Sequence, residues 1–445
     1  MVKIFKLLVL IVSINQMFSQ QEFEKNYIND FKKYFTFQPI FHISADGDSL
    51  EVYIPFRFSL NCLTFEKIHQ GEGLLAKFVL EFILRDLGGV IRKSVVYRDT
   101  ISVTYKEKDL IEERFYQNFI FTGVPLMEYT LEANLYDREK TKIKSLTAEL
   151  KLKQIGSTSI TTPIYATRVG NNYNTFALSL MNNALDFKKK DKVIIIPVFS
   201  PYDSYENLKF QINSLPNTSA RMYWEQKVSF QPSSILISSS AFQVDYDTND
   251  IVIYFDQKTF VGSSSKLNFI LLEFPEDSAY LQNYTLTITE TRTKDTASFI
   301  FKINWRNPPA SLNSLKYAIE LMYYILPDEA YDKLLSLKKE RQWKEFFELW
   351  KEYDTEPSTK FNEAMDEYYK RVDFAYSNFQ TVYEIDGAKT ERGKIFILYG
   401  RPSDVQRILS KDGEVVEIWT YYRLNKRFEF VSRFKKFELI KVSDL

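Results

Sequence analysis

The sequence predicts a multidomain, mostly β chain. Two antiparallel, immunoglobulin-like β-sandwiches are followed by an α+β domain of helices and then a small antiparallel sheet. Three observations lead there. The length of 445 residues allows about three domains. Up to Trp305, apolar and polar residues alternate with period two in short segments parted by turn residues, the pattern of strands. Beyond Asn307-Pro-Pro the apolar period becomes that of a helix. The expected domains are residues 36–155, 156–307 and 308–445, preceded by a leader of residues 1–20.

The leader comes first. Lys3 and Lys6 precede an apolar run from Leu7 to Ile14, and Asn15, Gln16, Ser19 and Gln20 close it. A basic start, a short apolar run and a polar end are the parts of a secretory signal peptide. The run is too short for a bilayer, which needs about 20 apolar residues. Cleavage is expected near Ser19 or Gln20, with no cysteine there for lipid attachment. No later stretch is apolar enough for a membrane helix, so the expected address is exported: periplasm, outer membrane or cell surface.

A polar helical lead-in, Gln21 to Tyr34, gives way to strands. Residues 49–58 alternate as a half-buried strand after the Asp46-Gly47 turn. Residues 76–84 and 90–97 flank Gly88-Gly89, a second hairpin signal, and 115–121, 129–136 and 143–152 continue the series. Residues 156–163 are small and polar and read as a linker. The second block is expected to hold strands at 192–199, 208–215, 222–230, 241–244, 251–255, 267–274, 284–289 and 297–305.

Composition removes several kinds of chemistry. Lysine plus arginine and aspartate plus glutamate are both 58, so the balance lacks the basic excess of a nucleic-acid binder. Cys62 is the single cysteine, which leaves no intramolecular disulfide and no multi-cysteine zinc site. His42 and His69 are the only histidines, with no acidic or cysteine spacing that would make a shared metal site. Thirteen glycines supply no Walker loop and no Gly-x-Ser-x-Gly elbow. No catalytic residue, metal ligand or cofactor is therefore assigned. Asp245-Tyr-Asp247-Thr-Asn249-Asp250 resembles the start of a calcium loop, but Asp250 stands where glycine is needed and strands flank it. It reads as a hairpin turn. Lys188 to Lys192 reads as a solvated basic loop, and Cys62 as a small buried hydrophobe.

In the third domain, Trp343, Phe346, Phe347, Trp350 and Tyr353 form one helical stripe, and Met365, Tyr368, Tyr369, Val372, Tyr376 and Phe379 form another. Pro357 falls between them. After Val382 strands are expected at 394–398, 405–409, 415–422 and 427–439, with Asp412-Gly413 as a turn.

The motif residues lie in this domain. Gly387-Ala-Lys-Thr390-Glu391-Arg392-Gly393 runs into Lys-Ile-Phe-Ile-Leu-Tyr399-Gly400-Arg-Pro402, and Glu417-Ile-Trp419-Thr-Tyr421 follows. Upstream stand Trp350, Asp354, Pro357, Thr359, Asn362, Glu363, Arg371 and Phe379. Over residues 312–440 this pattern resembles the GWxTD-domain family of bacterial exported proteins. Ala388 stands where that family has tryptophan and Glu391 where it has aspartate. The resemblance implies an architecture and an exported address, and it brings no reaction with it.

Turn chemistry gives the same residues a structural reading. Gly387 permits a turn, the Thr390 hydroxyl bonds nearby backbone, Gly393 lets the chain bend, and Tyr399-Gly400-Arg401-Pro402 is a turn. Trp419 is core. Glu391 bonds backbone or pairs with Arg392. In the functional reading Asp386, Glu391 and Arg392 form a charged cluster beside a cleft, and Gly387, Thr390, Glu391, Arg392, Gly393, Tyr399, Gly400, Pro402 and Trp419 are candidate binding residues. Two functions compete. One is a non-catalytic interaction or scaffold protein that docks an envelope partner. The other is a glycan-binding or glycan-active protein, since a carboxylate pair alone can hydrolyse glycosides.

Overall fold

The computed structural model describes residues 35–445, apart from residues 45, 69–72, 105–113, 139–140, 171–173, 201–204, 216–225, 238–241, 248–249, 256–266 and 412. The expected signal peptide, the lead-in, His69, Asp412 and residues 222–225 of the strand expected at 222–230 lie outside the described residues; of the rest of that strand, Ser229–Phe230 is strand. The described chain forms two compact units, one ending at Arg306 and one running from Asn307 to Leu445.

The first unit is built of sheets. Leu50–Ser59 is central to a four-stranded sheet: Phe35–Phe37 and Ile40–Ile43 pair with its two halves, and Arg114–Val124 pairs along its length. Leu74–Asp86 is central to a five-stranded sheet with Ile91–Val103, Tyr129–Asp137, Thr141–Leu150 and Glu66–Lys67. The two sheets enclose one core. Val52, Ile54, Phe56 and Phe58 alternate into it from the first sheet, and Phe78, Leu80, Phe82 and Leu131 from the second. Cys62 is buried in that core, in a short 3-10 turn.

Leu50–Ser59 was expected to be half-buried, but its second half is buried on both faces. The polar-looking side contacts the next layer. Tyr53 packs on Phe242, with ring centroids 4.8 Å apart, and Arg57 lies 3.7 Å from Asp250. Gln38 donates to Tyr165 O at 2.9 Å and accepts from Leu180 N at 2.8 Å. Residues 156–163, expected as a linker, hold the strand Thr158–Thr161, which pairs with Leu152–Ile155 and with Lys192–Phe199. Threonine and serine suit a strand as well as a loop when their hydroxyls find partners, and Thr161 Oγ1 donates to Phe41 O.

Lys192–Phe199 is central to a nine-stranded sheet that includes Ile164–Arg168, Thr175–Leu178 and Leu267–Glu273. A second five-stranded sheet carries Leu208–Ser214, Asn283–Glu290 and Thr296–Asn304; in it Ala184–Asp186 pairs parallel, an exception to the antiparallel rule. The Asp245 segment is a hairpin, with Asp247 opposite Asp250. The Asp250 carboxylate faces Lys189 at 3.0 Å and Arg57 at 3.7 Å. The basic run is not simply solvated: Lys192 is buried, and its Nζ donates to Glu276 at 2.6 Å and to Lys189 O.

His42 is buried among Tyr53, Phe242 and Phe269. Burial pulls its pKa down, while the 2.8 Å contact of Nδ1 with Ile43 O, and Glu51, oppose this. The folded pKa thus lies below the unfolded value, so the unfolded chain takes up a proton first as pH falls. The stabilising contribution is complete above about pH 6.5 and declines below it, at up to about 1.4 kcal/mol per pH unit. We expect His42→Phe to flatten the fall of the urea midpoint between neutral and mildly acidic pH. Parallel slopes for the two proteins would contradict the assignment.

The second unit begins with a 3-10 turn, Ala310–Asn313, whose Ala310 and Ser311 amides donate to the Asp373 carboxylate at 2.5 and 2.8 Å. Five helices follow: α1 (Leu315–Met322), α2 (Asp328–Ser336), α3 (Lys339–Lys351), α4 (Glu363–Asn378) and α5 (Glu391–Tyr399). The stripes read from the sequence fall on α3 and α4. Phe346 and Trp350 of α3 pack on Tyr369, and Trp350 also on Tyr368. Asn362 starts α4, accepting from Met365 N at 2.8 Å and donating to Trp350 O at 2.7 Å. A four-stranded antiparallel sheet closes the chain in sequence order: Asp404–Leu409, Val415–Tyr421, Lys426–Arg433 and Lys436–Asp444.

Two expectations fail here. The segment 394–398 is helix, not strand. Ile395, Phe396, Ile397 and Leu398 are all buried, and a short continuous apolar run does not separate a strand from a fully buried helix. The segment 427–439 is two strands, not one. Its turn, Phe434-Lys435, contains none of the usual turn residues.

Candidate functional site

The motif lies between α4 and the C-terminal sheet. α4 ends at Asn378, a short loop follows, and Gly387–Lys389 forms a 3-10 turn that leads into α5. Gly387 is required by close approach rather than by a positive φ. A Cβ on it would lie 2.2 Å from Ala375 O and 2.8 Å from Gln380 N, at the end of α4. Gly393 does not bend the chain into a strand but sits within the first turn of α5. A Cβ there would lie 2.0 Å from Gly387 O. The two glycines therefore let the turn, α4 and α5 touch backbone to backbone.

Thr390 caps α5. Its Oγ1 accepts from Gly393 N at 3.0 Å and donates to Gly387 O at 2.9 Å. Asp386 does the same for the 3-10 turn, accepting from Ala388 N at 3.1 Å and from the Tyr317 hydroxyl at 2.9 Å. Burial, then Asp386, hold the Tyr317 hydroxyl well above its ordinary pKa, so it remains a donor. Lys389 bridges to Glu320 at 2.8 Å. Ala388 is fully buried, and its carbonyl accepts from Tyr324 at 3.0 Å.

Arg392 is buried, and its partner is Glu417, at 3.5 Å. Glu391, the expected partner, is exposed on the first turn of α5. The Arg392 guanidinium stacks on Phe437, 3.7 Å from the ring centroid, and lies 5.3 Å from that of Phe379. Burial lowers its pKa, Glu417 opposes this, and Arg407 adds to the lowering. Glu417 also accepts from Arg407 Nε at 2.7 Å and from Trp419 Nε1 at 2.8 Å. Trp419 packs on Phe379 and Phe430. The whole group is a buried ion pair with aromatic walls, joining α5 to the second and last strands of the sheet.

Residues 283–442 match the family model of the GWxTD domain. The chain carries a GWxTD domain at its C-terminal end. The match starts earlier than the resemblance over residues 312–440, taking in Asn283–Glu290 and Thr296–Asn304 of the first unit. A comparison with curated proteins finds no match.

The remaining motif positions of the GWxTD domain also serve packing. Tyr399 lies against Phe428 and Tyr421, and Pro402 is buried. Gly400 has a φ of +74°, and the Arg371 guanidinium would lie 3.3 Å from a Cβ there. Arg371 itself reaches Glu367 at 2.6 Å and Ile397 O at 3.4 Å. The structure thus gathers Gly387, Thr390, Arg392, Gly393 and Trp419, and leaves Glu391 at the edge. Sequence reasoning missed Glu417, although a carboxylate two residues before Trp419 on the buried face of a strand signals a buried cation.

Two milder outcomes follow. Thr390→Ala should cost about 1 kcal/mol, the usual worth of a cap. Glu391→Gln should cost less, about 0.3–1 kcal/mol, because it removes only a favourable charge near a helix N-terminus. Thermal melting of both variants checks the order. A larger loss for Glu391→Gln would restore it to the cluster.

Proposed function

We propose that the protein is a non-catalytic interaction or scaffold protein, exported to the cell envelope, whose GWxTD domain is a rigid docking module. The reading rests on the inward use of the motif's polar groups. Thr390 caps a helix, Asp386 caps a turn, and Arg392 is bound to Glu417 and two rings. None of these groups is left poised for acid–base or nucleophilic work, which needs a reacting group within about 3 Å of substrate. In this reading residues 36–155 and 156–307 serve as spacer or adhesive β-modules. Among the described residues no helix is long and apolar enough to cross a membrane.

The test combines two measurements on the native cell. Intact mass should show loss of about 20 N-terminal residues, as cleavage of a leader requires. Cross-linking in envelope preparations should then capture a discrete partner in the wild type, and equally in Glu391→Gln. A full-length cytosolic species, or turnover of a glycan by the purified chain, would contradict the reading.

A further inference from the structure

The hairpin between Lys426–Arg433 and Lys436–Asp444 turns on two residues, Phe434 and Lys435. Their φ values are +47° and +62°. A two-residue turn with both φ positive favours Asn-Gly, because a bulky side chain is strained there. Phe434 nevertheless occupies the first position, and its side chain is 91% exposed. Backbone strain and a bare aromatic ring thus fall on one residue, and no packing in this domain accounts for either.

Its surroundings are chemically consistent. Val416 pairs with Val431, so the tip at Phe434 and the tip at Ser410–Glu414 lie at the same end of the sheet. The pair Arg433–Glu414, at 2.9 Å, joins them. Leu409 is 73% exposed beside them. Lys411, Lys435 and Lys436 are exposed, whereas the two acidic side chains described at this end, Glu414 and Glu438, lie against Arg433. By sequence this end carries Lys411, Arg433, Lys435 and Lys436 against Asp412, Glu414 and Glu438, four cations to three carboxylates, so it presents exposed apolar side chains with a small cationic excess carried by ammonium groups. That is the chemistry of an interfacial membrane contact, in which apolar groups enter the headgroup boundary and lysines meet phosphates.

We propose that this end of the C-terminal sheet docks on a bilayer carrying anionic phospholipids. Phe434 and Leu409 enter the interface, and Lys411, Lys435 and Lys436 contact phosphate headgroups. The motif supports the hairpin, since the Arg392 guanidinium stacks on Phe437, three residues past the tip. The proposal goes beyond the envelope reading and does not rest on it, because it concerns the charge of the bilayer and not its place in the cell.

Co-sedimentation of the full chain with vesicles tests it. The apolar run Leu7 to Ile14 is common to all variants, so differences between them report on the tip. Wild type should bind vesicles containing phosphatidylglycerol more tightly than pure phosphatidylcholine vesicles, and the preference should weaken in high salt. The double variant Phe434→Asn, Lys435→Gly relieves the turn, so it should melt no lower than wild type while binding falls about tenfold or more. Lys411→Gln and Lys436→Gln should each weaken binding about fivefold. Equal binding to both vesicle types, no binding to either, or an Asn-Gly variant that sediments like wild type would overturn the proposal.

Discussion

Gly393→Ala should unfold the C-terminal domain or bring it close to unfolding. Two effects of opposite sign meet at this residue. Alanine is the better helix former, by up to about 1 kcal/mol. Its methyl group, however, would lie 2.0 Å from Gly387 O and 3.0 Å from the Ala388 backbone. These are backbone atoms, which cannot swing aside as a side chain would. Overpacking costs about 1–3 kcal/mol in ordinary cores and more where nothing yields, so the steric effect wins. Gly387→Ala should behave alike, against Ala375 O. Urea denaturation followed by tryptophan fluorescence reads the result. A variant as stable as wild type, or more stable, would show that the turn and α5 have room between them.

Arg392→Met should be the next most damaging change. It keeps the apolar stem and removes the charge from a buried pair. Breaking such a pair typically costs about 3–5 kcal/mol. The low end is expected here, because Arg407 and Trp419 still bind Glu417. Arg392→Lys should recover little. An ammonium does not reproduce a planar guanidinium stacked on Phe437 and beside Phe379. Near-wild-type stability of the lysine variant would show that charge alone suffices at this site.

Much of the fold is legible in the sequence, and the exceptions have physical causes. Strands of the first unit such as Tyr129–Asp137, Asn283–Glu290 and Thr296–Asn304 follow alternation, because each has one face in a core. Lys192–Phe199 was readable to the residue, as a continuous apolar run between turn signals. What misled was a polar-looking position that is buried with a partner. Arg57 meets Asp250 and Thr161 meets Phe41, so side chains on either side of residue 156 are in contact. The strand expected at 394–398 is instead part of α5, because Ile395 to Leu398 is buried on every side and carries no period. The Phe434-Lys435 turn was invisible because its residues are the wrong ones for a turn, which is also what makes it informative. The Thr390 hydroxyl bonding nearby backbone is legible in the sequence, whereas the need for Gly387 and Gly393 comes from backbone contacts between segments that turn chemistry does not reveal. The partner of Arg392 is not legible either, since Arg392 lies on α5 and Glu417 on a strand 25 residues on, and the packing of that helix on that sheet is not written locally.

The central claim is that the motif is a structural core whose charged residues serve one another. A double-mutant cycle on Arg392→Met and Glu417→Gln, measured by chemical denaturation, tests it most directly. Each single variant should lose stability, and the double variant should lose clearly less than their sum, with a coupling of at least about 1 kcal/mol. Two single variants as stable as wild type, with additive behaviour in the double, would contradict the account and return Arg392 and Glu417 to the role of a functional site.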